Sequence, residues 1–312
     1  MNSSCWRLLQ RSDALIPNSM TLPITSSWLS SFNSLRLPPW VDDESLEAYS
    51  NCIVKMRRIE NIEPSFISNQ FFVSVYMDNK HENTLPLGVS QSDLYKEINL
   101  IKIETSDKFK DTLSGLTDEW HVDGQDQPSM RPLIQHYYVL KTVWNHANGD
   151  GDFTVEFLKE IHLHLMSGAY EKDFKDKCTP FPAGEIRTVP VSAGCCVFMD
   201  PKDIALNLSD LIDKINNISV IDQIMIIFRD FLLIHPFVNG NGRTARLLLN
   251  WMICRHKVSK FPIVLTSGKK QSRQHYIQSL NKYDQGIMHH LQFLFLASMG
   301  EVSGNYLALY SK

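Results

Sequence analysis

Residues 234–250 read IHPFVNGNGRTARLLLN, and this stretch decides the fold. It ends one apolar segment and begins another, and Pro236 cannot continue the first segment as a helix. Gly240 and Gly242 permit positive φ angles and a close approach of the backbone to another group. The stretch therefore predicts two apolar helices joined by a tight glycine loop, with the second helix beginning near Arg243.

The loop has the chemistry of an anion site. Free N–H groups at the start of a helix, bent by glycines, form a concave nest for an anion. Arg243 and Arg246 lie three residues apart and hence on one face of the helix. Arginines at this end oppose the helix dipole, which favours a bound polyphosphate over helix stabilisation. His235 precedes the loop and could take a proton from an incoming hydroxyl. A helical turn with solvated arginines is the plainer alternative.

Composition limits the class of protein. The 312 residues are 43% hydrophobic and 21% charged, which is typical of a soluble globular protein. A formal net charge of −3 disfavours a nucleic-acid-binding surface. The chain has no uninterrupted run of about 18 apolar residues, so no membrane span is expected. The six cysteines show no CxxC spacing, which fits reduced thiols in a cytoplasmic compartment.

The pattern of the chain changes twice. Residues 1–38 are rich in Ser, Leu and Pro and are predicted to be loosely ordered. Residues 39–130 are predicted to contain a helix at about 40–62 and a short α+β region, because NQFFVSVYMD and NLIKIET resemble strands. Residues 131–312 are predicted to form a mainly α domain that carries one small β-hairpin at 184–194.

The segment HPFVNGNGRTAR resembles the signature of the Fic family, His-Pro-Phe-x-(Asp/Glu)-Gly-Asn-Gly-Arg-x-x-Arg. Every specified position matches except Asn239, which stands where the family usually has an acid. LKEIHLHLMSG, GEIRTVPV and SRQHYIQSL resemble the family's helix, flap hairpin and later helix in the same order. The resemblance covers about residues 130–300, whereas residues 1–50 and 70–130 match no family feature.

The resemblance implies a Fic-type helical bundle that transfers AMP from ATP, with Mg²⁺, to a Ser, Thr or Tyr hydroxyl of a target protein. It implies that His235 is the general base and that position 239, here Asn239, is the metal position. The residues implied to bind nucleotide are Gly240, Asn241, Gly242, Arg243, Arg246 and Tyr276. The flap residues implied to clamp the target are Glu185, Ile186, Arg187, Thr188 and Val189.

Many Fic proteins also carry an inhibitory helix with the pattern (Ser/Thr)-x-x-x-Glu-(Gly/Asn). Its glutamate pairs with the second arginine of the signature and displaces the γ-phosphate. MRRIEN at 56–61 supplies Glu60 and Asn61, with Met56 at the Ser/Thr position. The resemblance therefore predicts that Glu60 is inhibitory and pairs with Arg246. The alternative interpretation is that Glu60 is a solvated glutamate at the end of a helix.

Two further functions remain open from the sequence. The same scaffold could transfer UMP, phosphate or phosphocholine, or remove AMP from a modified target. Because Asn239 replaces the acid, the chain could also be a non-catalytic module that binds nucleotide or another protein. The sequence does not identify the target protein or decide whether the chain forms a homodimer.

Overall fold

A computed structural model describes residues 43–82, 84–86, 88–101, 120–121, 129–172, 178–193, 196–265 and 272–310. The helices in these ranges are α1 (Asp43–Arg57), α2 (Pro64–His81), α3 (Gln91–Ile101), α4 (Arg131–Asn148), α5 (Val155–Met166), α6 (Pro201–Asn216), α7 (Asp222–Ile234), α8 (Asn241–Arg255), α9 (Ser272–Asp284) and α10 (His289–Tyr310). The strands are β1 (Trp120–His121), β2 (Ala169–Lys172), β3 (Cys178–Pro180), β4 (Ser192–Ala193) and β5 (Cys196–Val197). The prediction of a mainly α fold is confirmed.

Helix α8 is the centre of the fold. Thirteen of its 15 residues are buried, as expected for a helix that is surrounded by others on all sides. It packs against α4 on one side and α7 on another. Trp251, fully buried, meets the ring of Phe153 edge to face with 5.1 Å between centroids. This burial fixes the position of the first turn of α8, which carries both arginines of the opening stretch.

Two N-terminal helices pack onto this core. Helix α1 lies along α10, and helix α2 lies along α4. The ring of Phe72 stacks on Tyr137 with 4.7 Å between centroids, and Phe71 meets Trp144 edge to face at 6.0 Å. This aromatic packing brings the C-terminal end of α2 to the first turn of α8.

Helix α2 contradicts the strand predicted for NQFFVSVYMD. Pro64 takes the start of the helix, where its missing N–H is no loss. Buried residues then recur every four positions at Phe66, Gln70, Ser74 and Asp78. The Phe and Val content favours a strand locally, but the helical spacing of the buried side chains decides the structure. NLIKIET begins within helix α3, contrary to its predicted strand, and its remainder lies outside the described residues.

The predicted hairpin is also displaced. Strand β4 pairs antiparallel with β5, with Ser192 opposite Val197. Residues 184–191 form no strand. The backbone N–H of Arg187 donates to the carbonyl oxygen of Pro236 at 2.9 Å, so this segment is bonded to the loop after α7 rather than to a strand of its own. In the other described sheet, β2 lies between β1 and β3.

Thr154 caps the start of helix α5. The side chain of Thr154 accepts a hydrogen bond from the N–H of Phe157 at 3.0 Å, which satisfies one of the free donors of the first turn. None of the helices in the described ranges combines the length and the apolar character needed to span a lipid bilayer.

Candidate active site

His235 ends helix α7 in a left-handed conformation, with φ 50° and ψ 60°. Its Nδ1 lies 3.2 Å from the carbonyl oxygen of Leu232. A ring nitrogen beside a carbonyl carries the proton, which leaves Nε2 as the acceptor. Phe198 stacks on the ring at 3.6 Å. Burial lowers the pKa of His235 to about 4, so at neutral pH the ring is an uncharged base.

Arg187 holds the turn at His235 in place. Its Nε donates to the carbonyl oxygen of His235 at 2.7 Å, and its Nη2 donates to that of Met199 at 2.6 Å. Nη2 also lies 3.3 Å from the carbonyl oxygen of Ile234, and Nη1 donates to Val189 at 2.9 Å. The side chain is buried among these carbonyls. The Arg187 side chain therefore braces the turn at His235 from inside, and the clamping of a target by the main chain of this segment stays a prediction.

The other predicted flap residues remain available to a target. Glu185, Thr188 and Val189 are exposed, and Ile186 is half-buried. Val189 exposes 51% of its surface, which is high for an apolar side chain. Their role in target binding stays a prediction.

Asn241 closes the loop on itself. Its Oδ1 accepts from the N–H of Phe237 at 3.0 Å, and its Nδ2 donates to the carbonyl oxygen of Phe237 at 2.8 Å. Gly240 has φ 77°, and a Cβ there would come within 2.9 Å of Met166 Sδ. The Asn241 side chain is thus committed to the shape of the loop, and what it can offer to phosphate is its backbone N–H at the helix start.

His162, on α5, joins the loop to the flap segment. Its Nδ1 accepts from the N–H of Gly184 at 2.8 Å, so its Nε2 carries the proton and donates to the carbonyl oxygen of Asn239 at 2.9 Å. Its ring lies parallel to that of Phe237 at 3.6 Å. Burial lowers the pKa of His162 to about 3, so the ring stays neutral. Sequence reasoning missed this contact, because nothing local distinguishes His162 from an ordinary core histidine.

Both arginines of the signature are buried on the first turns of α8. Arg243 Nη2 lies 3.1 Å from Met166 Sδ, and burial lowers the pKa of Arg243 to about 10. Arg246 pairs with two carboxylates from the end of α2. Its Nε lies 2.8 Å from Asp78 Oδ1, and its Nη2 lies 2.6 Å from Glu82 Oε1.

The pairing of Glu60 with Arg246 is contradicted by this geometry. Glu60 lies beyond the end of α1, is exposed, and follows Ile59, whose carbonyl accepts from the Lys260 ammonium. The carboxylates on Arg246 are those of Asp78, in α2, and Glu82, which follows α2. The sequence did hold a signal for Glu82. Glu82 also precedes an asparagine in the sequence, but Asp78 stands where the pattern requires Ser or Thr, and the local sequence NQFFVSVYMD predicts a strand rather than a helix.

The Glu82 carboxylate occupies the predicted anion site. A Cβ on Gly242 would come within 2.6 Å of Glu82 Oε1, so glycine is needed for this approach to the helix start. Burial pushes the pKa of Glu82 upward, but the charge and hydrogen bond of Arg246 outweigh burial, and the pKa is lowered. Glu82 is therefore an anion at neutral pH at the place where a phosphate is expected.

Tyr276 lies beside the end of α2. It is buried, its ring meets that of His81 edge to face at 5.0 Å, and burial raises its pKa to about 12. Arg273, on the same helix, donates from Nε to the carbonyl oxygen of His81 at 3.3 Å. Helix α9 thus supports the segment that presents Glu82, and a contact of Tyr276 with nucleotide stays a prediction.

Asn239 stands at the position that the family resemblance implies for the metal, but its side-chain oxygen is already hydrogen-bonded. Asn239 Oδ1 accepts from the N–H of Gly240 at 2.6 Å, so a cation would have to compete for that oxygen. Asp78 and Glu82 are already paired with Arg246. Within the described ranges, no group of three or more His, Cys, Asp or Glu side chains is arranged to hold a metal ion. Mg²⁺ prefers carboxylates together with substrate phosphates, and position 239 supplies an amide instead of a carboxylate.

Residues 152–253 match the family model described as the Fic/DOC family. That range contains α5, the flap segment, α7 and most of α8, which are the elements that build the site described above. This part of the chain is therefore similar to the Fic/DOC family.

Curated relatives match an overlapping part of the chain. The chain is 31% identical over 140 residues to the protein adenylyltransferase fic-1 of Caenorhabditis elegans, covering 43% of this chain and 25% of that protein. It is 27% identical over 178 residues to the protein adenylyltransferase Fic of Drosophila grimshawi, covering 55% of this chain and 35% of that protein. The chain thus spans about a quarter to a third of these relatives' length.

The fold resembles two solved structures at low sequence identity. A Fic-1 structure from Caenorhabditis elegans has a TM-score of 0.59 at 18% identity, covering 86% of this chain and 72% of that chain. A Fic domain containing signaling protein from Bacteroides thetaiotaomicron has a TM-score of 0.60 at 18% identity, covering 83% of this chain and 96% of that chain. At this identity the likeness concerns the fold alone.

Proposed function

We propose that this chain is a protein adenylyltransferase, which transfers AMP from ATP to a Ser, Thr or Tyr hydroxyl of a target protein. The observation that carries the proposal is His235, an uncharged base beside a helix start that presents two buried arginines. The activity named for the relatives supports the same reaction class.

In the proposed reaction, the target hydroxyl gives its proton to Nε2 of His235. Its oxygen attacks the α-phosphorus of ATP and forms a new P–O bond. The bond from the α-phosphorus to the oxygen that bridges to the β-phosphorus breaks, and pyrophosphate leaves. Backbone N–H groups at the start of α8, together with Arg243 and Arg246, stabilise the charge on the phosphates.

We propose that the target binds along residues 185–189. An extended target segment can pair with exposed main chain, which gives affinity with little sequence preference. The buried Arg187 keeps this segment fixed to the catalytic turn, so a hydroxyl held there lies at a constant distance from His235. Glu185, Thr188 and Val189 supply the side-chain contacts.

We propose that Mg²⁺ enters with ATP. When bound, it supplies charge neutralisation of the phosphates. No step of the reaction is assigned to it, because Asn239 offers an amide oxygen that is already hydrogen-bonded.

We propose that Glu82 holds the resting chain in an inhibited state. Its carboxylate occupies the helix start at Gly242 and pairs with Arg246, so a γ-phosphate has to replace it on the same guanidinium. Glu82 takes over the inhibitory role that the sequence had assigned to Glu60.

Transfer can be tested with ATP labelled on the α-phosphate and, in parallel, on the γ-phosphate. The Glu82→Gly variant should acquire α-label and a mass increase of one AMP on itself or on an added protein. The double variant Glu82→Gly/His235→Ala should acquire none, because a positioned base contributes about 10²–10⁴-fold.

Other outcomes separate the alternatives. Acquisition of γ-label would indicate phosphate transfer, and label only from UTP or CDP-choline would indicate another donor. Release of AMP from a modified protein would indicate the reverse activity. ATP binding by Glu82→Gly without a covalent product from any donor would reject the proposal in favour of a non-catalytic nucleotide-binding module.

A further inference from the structure

Asp78 is a second carboxylate on the arginine that Glu82 contacts. Asp78 Oδ1 lies 2.8 Å from Nε of Arg246, whereas Glu82 Oε1 lies 2.6 Å from Nη2. The two acids are four residues apart at the end of α2, which places them on one face. Two different nitrogens of one guanidinium are therefore held by two carboxylates.

The two carboxylates differ in their freedom to move. The Asp78 side chain is only 3% exposed and lies within the helix, whereas the Glu82 side chain is 32% exposed and follows the last helical residue. Glu82 can withdraw by rotation of its own side chain. Asp78 can withdraw only if α2 separates from α4.

A polar cluster beneath α2 reinforces this difference. The Asn79 amide donates to Nδ1 of His136, on α4, at 3.0 Å. The Nε2 of His136 therefore carries the proton and points toward Asp78 Oδ2, 3.7 Å away. Thr84 donates to Oδ1 of Asn79 at 2.7 Å. These buried contacts fix the helix turn that carries Asp78 against α4.

The charges at the site balance only in the resting state. Burial raises the pKa of Asp78 to about 6, so at neutral pH both Asp78 and Glu82 are mainly ionised and face Arg243 and Arg246, two negative charges against two positive ones. When Glu82 withdraws, one positive charge is left in excess, and a γ-phosphate can neutralise it. If Asp78 withdrew as well, Arg246 would lose both of its carboxylate partners and its fixed orientation.

We propose that Asp78 is a positioning residue for Arg246. It keeps the guanidinium in place through Nε while Glu82 leaves Nη2, and so directs the vacated nitrogen to the γ-phosphate of ATP. This inference rests on the proposed function, in which Arg246 binds that phosphate. It assigns opposite roles to the two acids, since Glu82 blocks the nucleotide and Asp78 supports it.

The test compares Glu82→Gly with Glu82→Gly/Asp78→Asn, which keeps the shape of the side chain and removes its charge. In the double variant the KM for ATP should be about tenfold higher, which is the effect of losing one charge-assisted hydrogen bond from Arg246 to the γ-phosphate. The value of kcat should be nearly unchanged. Its calorimetric affinity for ADP, which lacks the γ-phosphate, should not change. Glu82→Gly/Asp284→Asn removes the carboxylate from another buried arginine, Arg229, and should lower Tm without changing the ratio of ATP to ADP affinity.

The single variant Asp78→Asn provides a second measurement should the double variant fail to fold, because Glu82 still pairs with Arg246. It should stay as inactive as the parent. Activation of this variant would mean that Asp78 is a second inhibitory acid and would overturn the proposal. Equal loss of ATP and ADP affinity in the double variant would also overturn it, because that result indicates a structural role only. Failure of Glu82→Gly to bind ATP at all would instead count against the proposed function.

Discussion

Replacing Glu82 with glycine should raise the affinity of the chain for ATP about tenfold. The resting pair between Glu82 and Arg246 closes at 2.6 Å, and a hydrogen bond between charged groups contributes about 1.5–3 kcal/mol. About a third of the Glu82 side chain is exposed, so solvent screening places the contribution near the lower end. About 1.5 kcal/mol corresponds to about a tenfold change in the dissociation constant.

The measurement is a calorimetric titration with ATP and with ADP in the His235→Ala background, in which ATP is not consumed. Glu60→Gly is the matched control, since Glu60 is an exposed glutamate that also precedes an asparagine in the sequence. Glu82→Gly should bind ATP more tightly, and Glu60→Gly should bind it as the parent does. Equal dissociation constants in all three proteins, or an equal gain in both glycine variants, would refute the assignment of Glu82.

Three further outcomes follow from the site. In Glu82→Gly at saturating ATP, kcat should stay constant from about pH 8 to about pH 5. Burial lowers the pKa of His235 to about 4, and protonation removes the base only below that value. A fall in kcat centred near the ordinary histidine pKa of about 6.5 would contradict this prediction. Arg187→Lys should lower the free energy of unfolding in urea by about 3 kcal/mol and should also lower kcat, because lysine cannot reach the four carbonyls that Arg187 contacts. An unchanged kcat would show that Arg187 does not position the turn at His235 for the reaction. Asn239→Asp should lower the magnesium concentration for half-maximal rate, since a carboxylate binds Mg²⁺ better than an amide does, and an identical magnesium titration in both proteins would show that position 239 does not contact the metal.

The loop between α7 and α8 shows how far local sequence can determine a site. A proline that ends one helix, two glycines that permit close approach, and two arginines one turn into the next helix are all local features. Local chemistry therefore predicted a helix, a loop and a second helix. It also predicted that both arginines lie on one face of the second helix and that His235 directly precedes the loop. These features depend only on the backbone geometry of about a dozen neighbouring residues, so the residue types in this stretch are enough to predict them.

What covers that site was decided by tertiary structure alone. Glu82 and Asp78 are 164 and 168 residues away from Arg246 along the chain, and they reach it because α2 packs along α4 through a buried row that includes Phe72 and Tyr137. The local content of Phe and Val in α2 predicts a strand, and only burial every fourth residue against α4 makes it a helix. The same holds for Arg187, because no local pattern indicates that its side chain is buried in an otherwise exposed segment. Its side chain turns inward because it donates to the carbonyls of Ile234 and His235, which the end of α7 leaves without partners within the helix. Sequence by itself thus determined the backbone geometry and the charges of the loop after α7, because these depend on neighbouring residues. The acid that occupies the loop and the arginine that braces it were set by long-range packing, which no local pattern indicates.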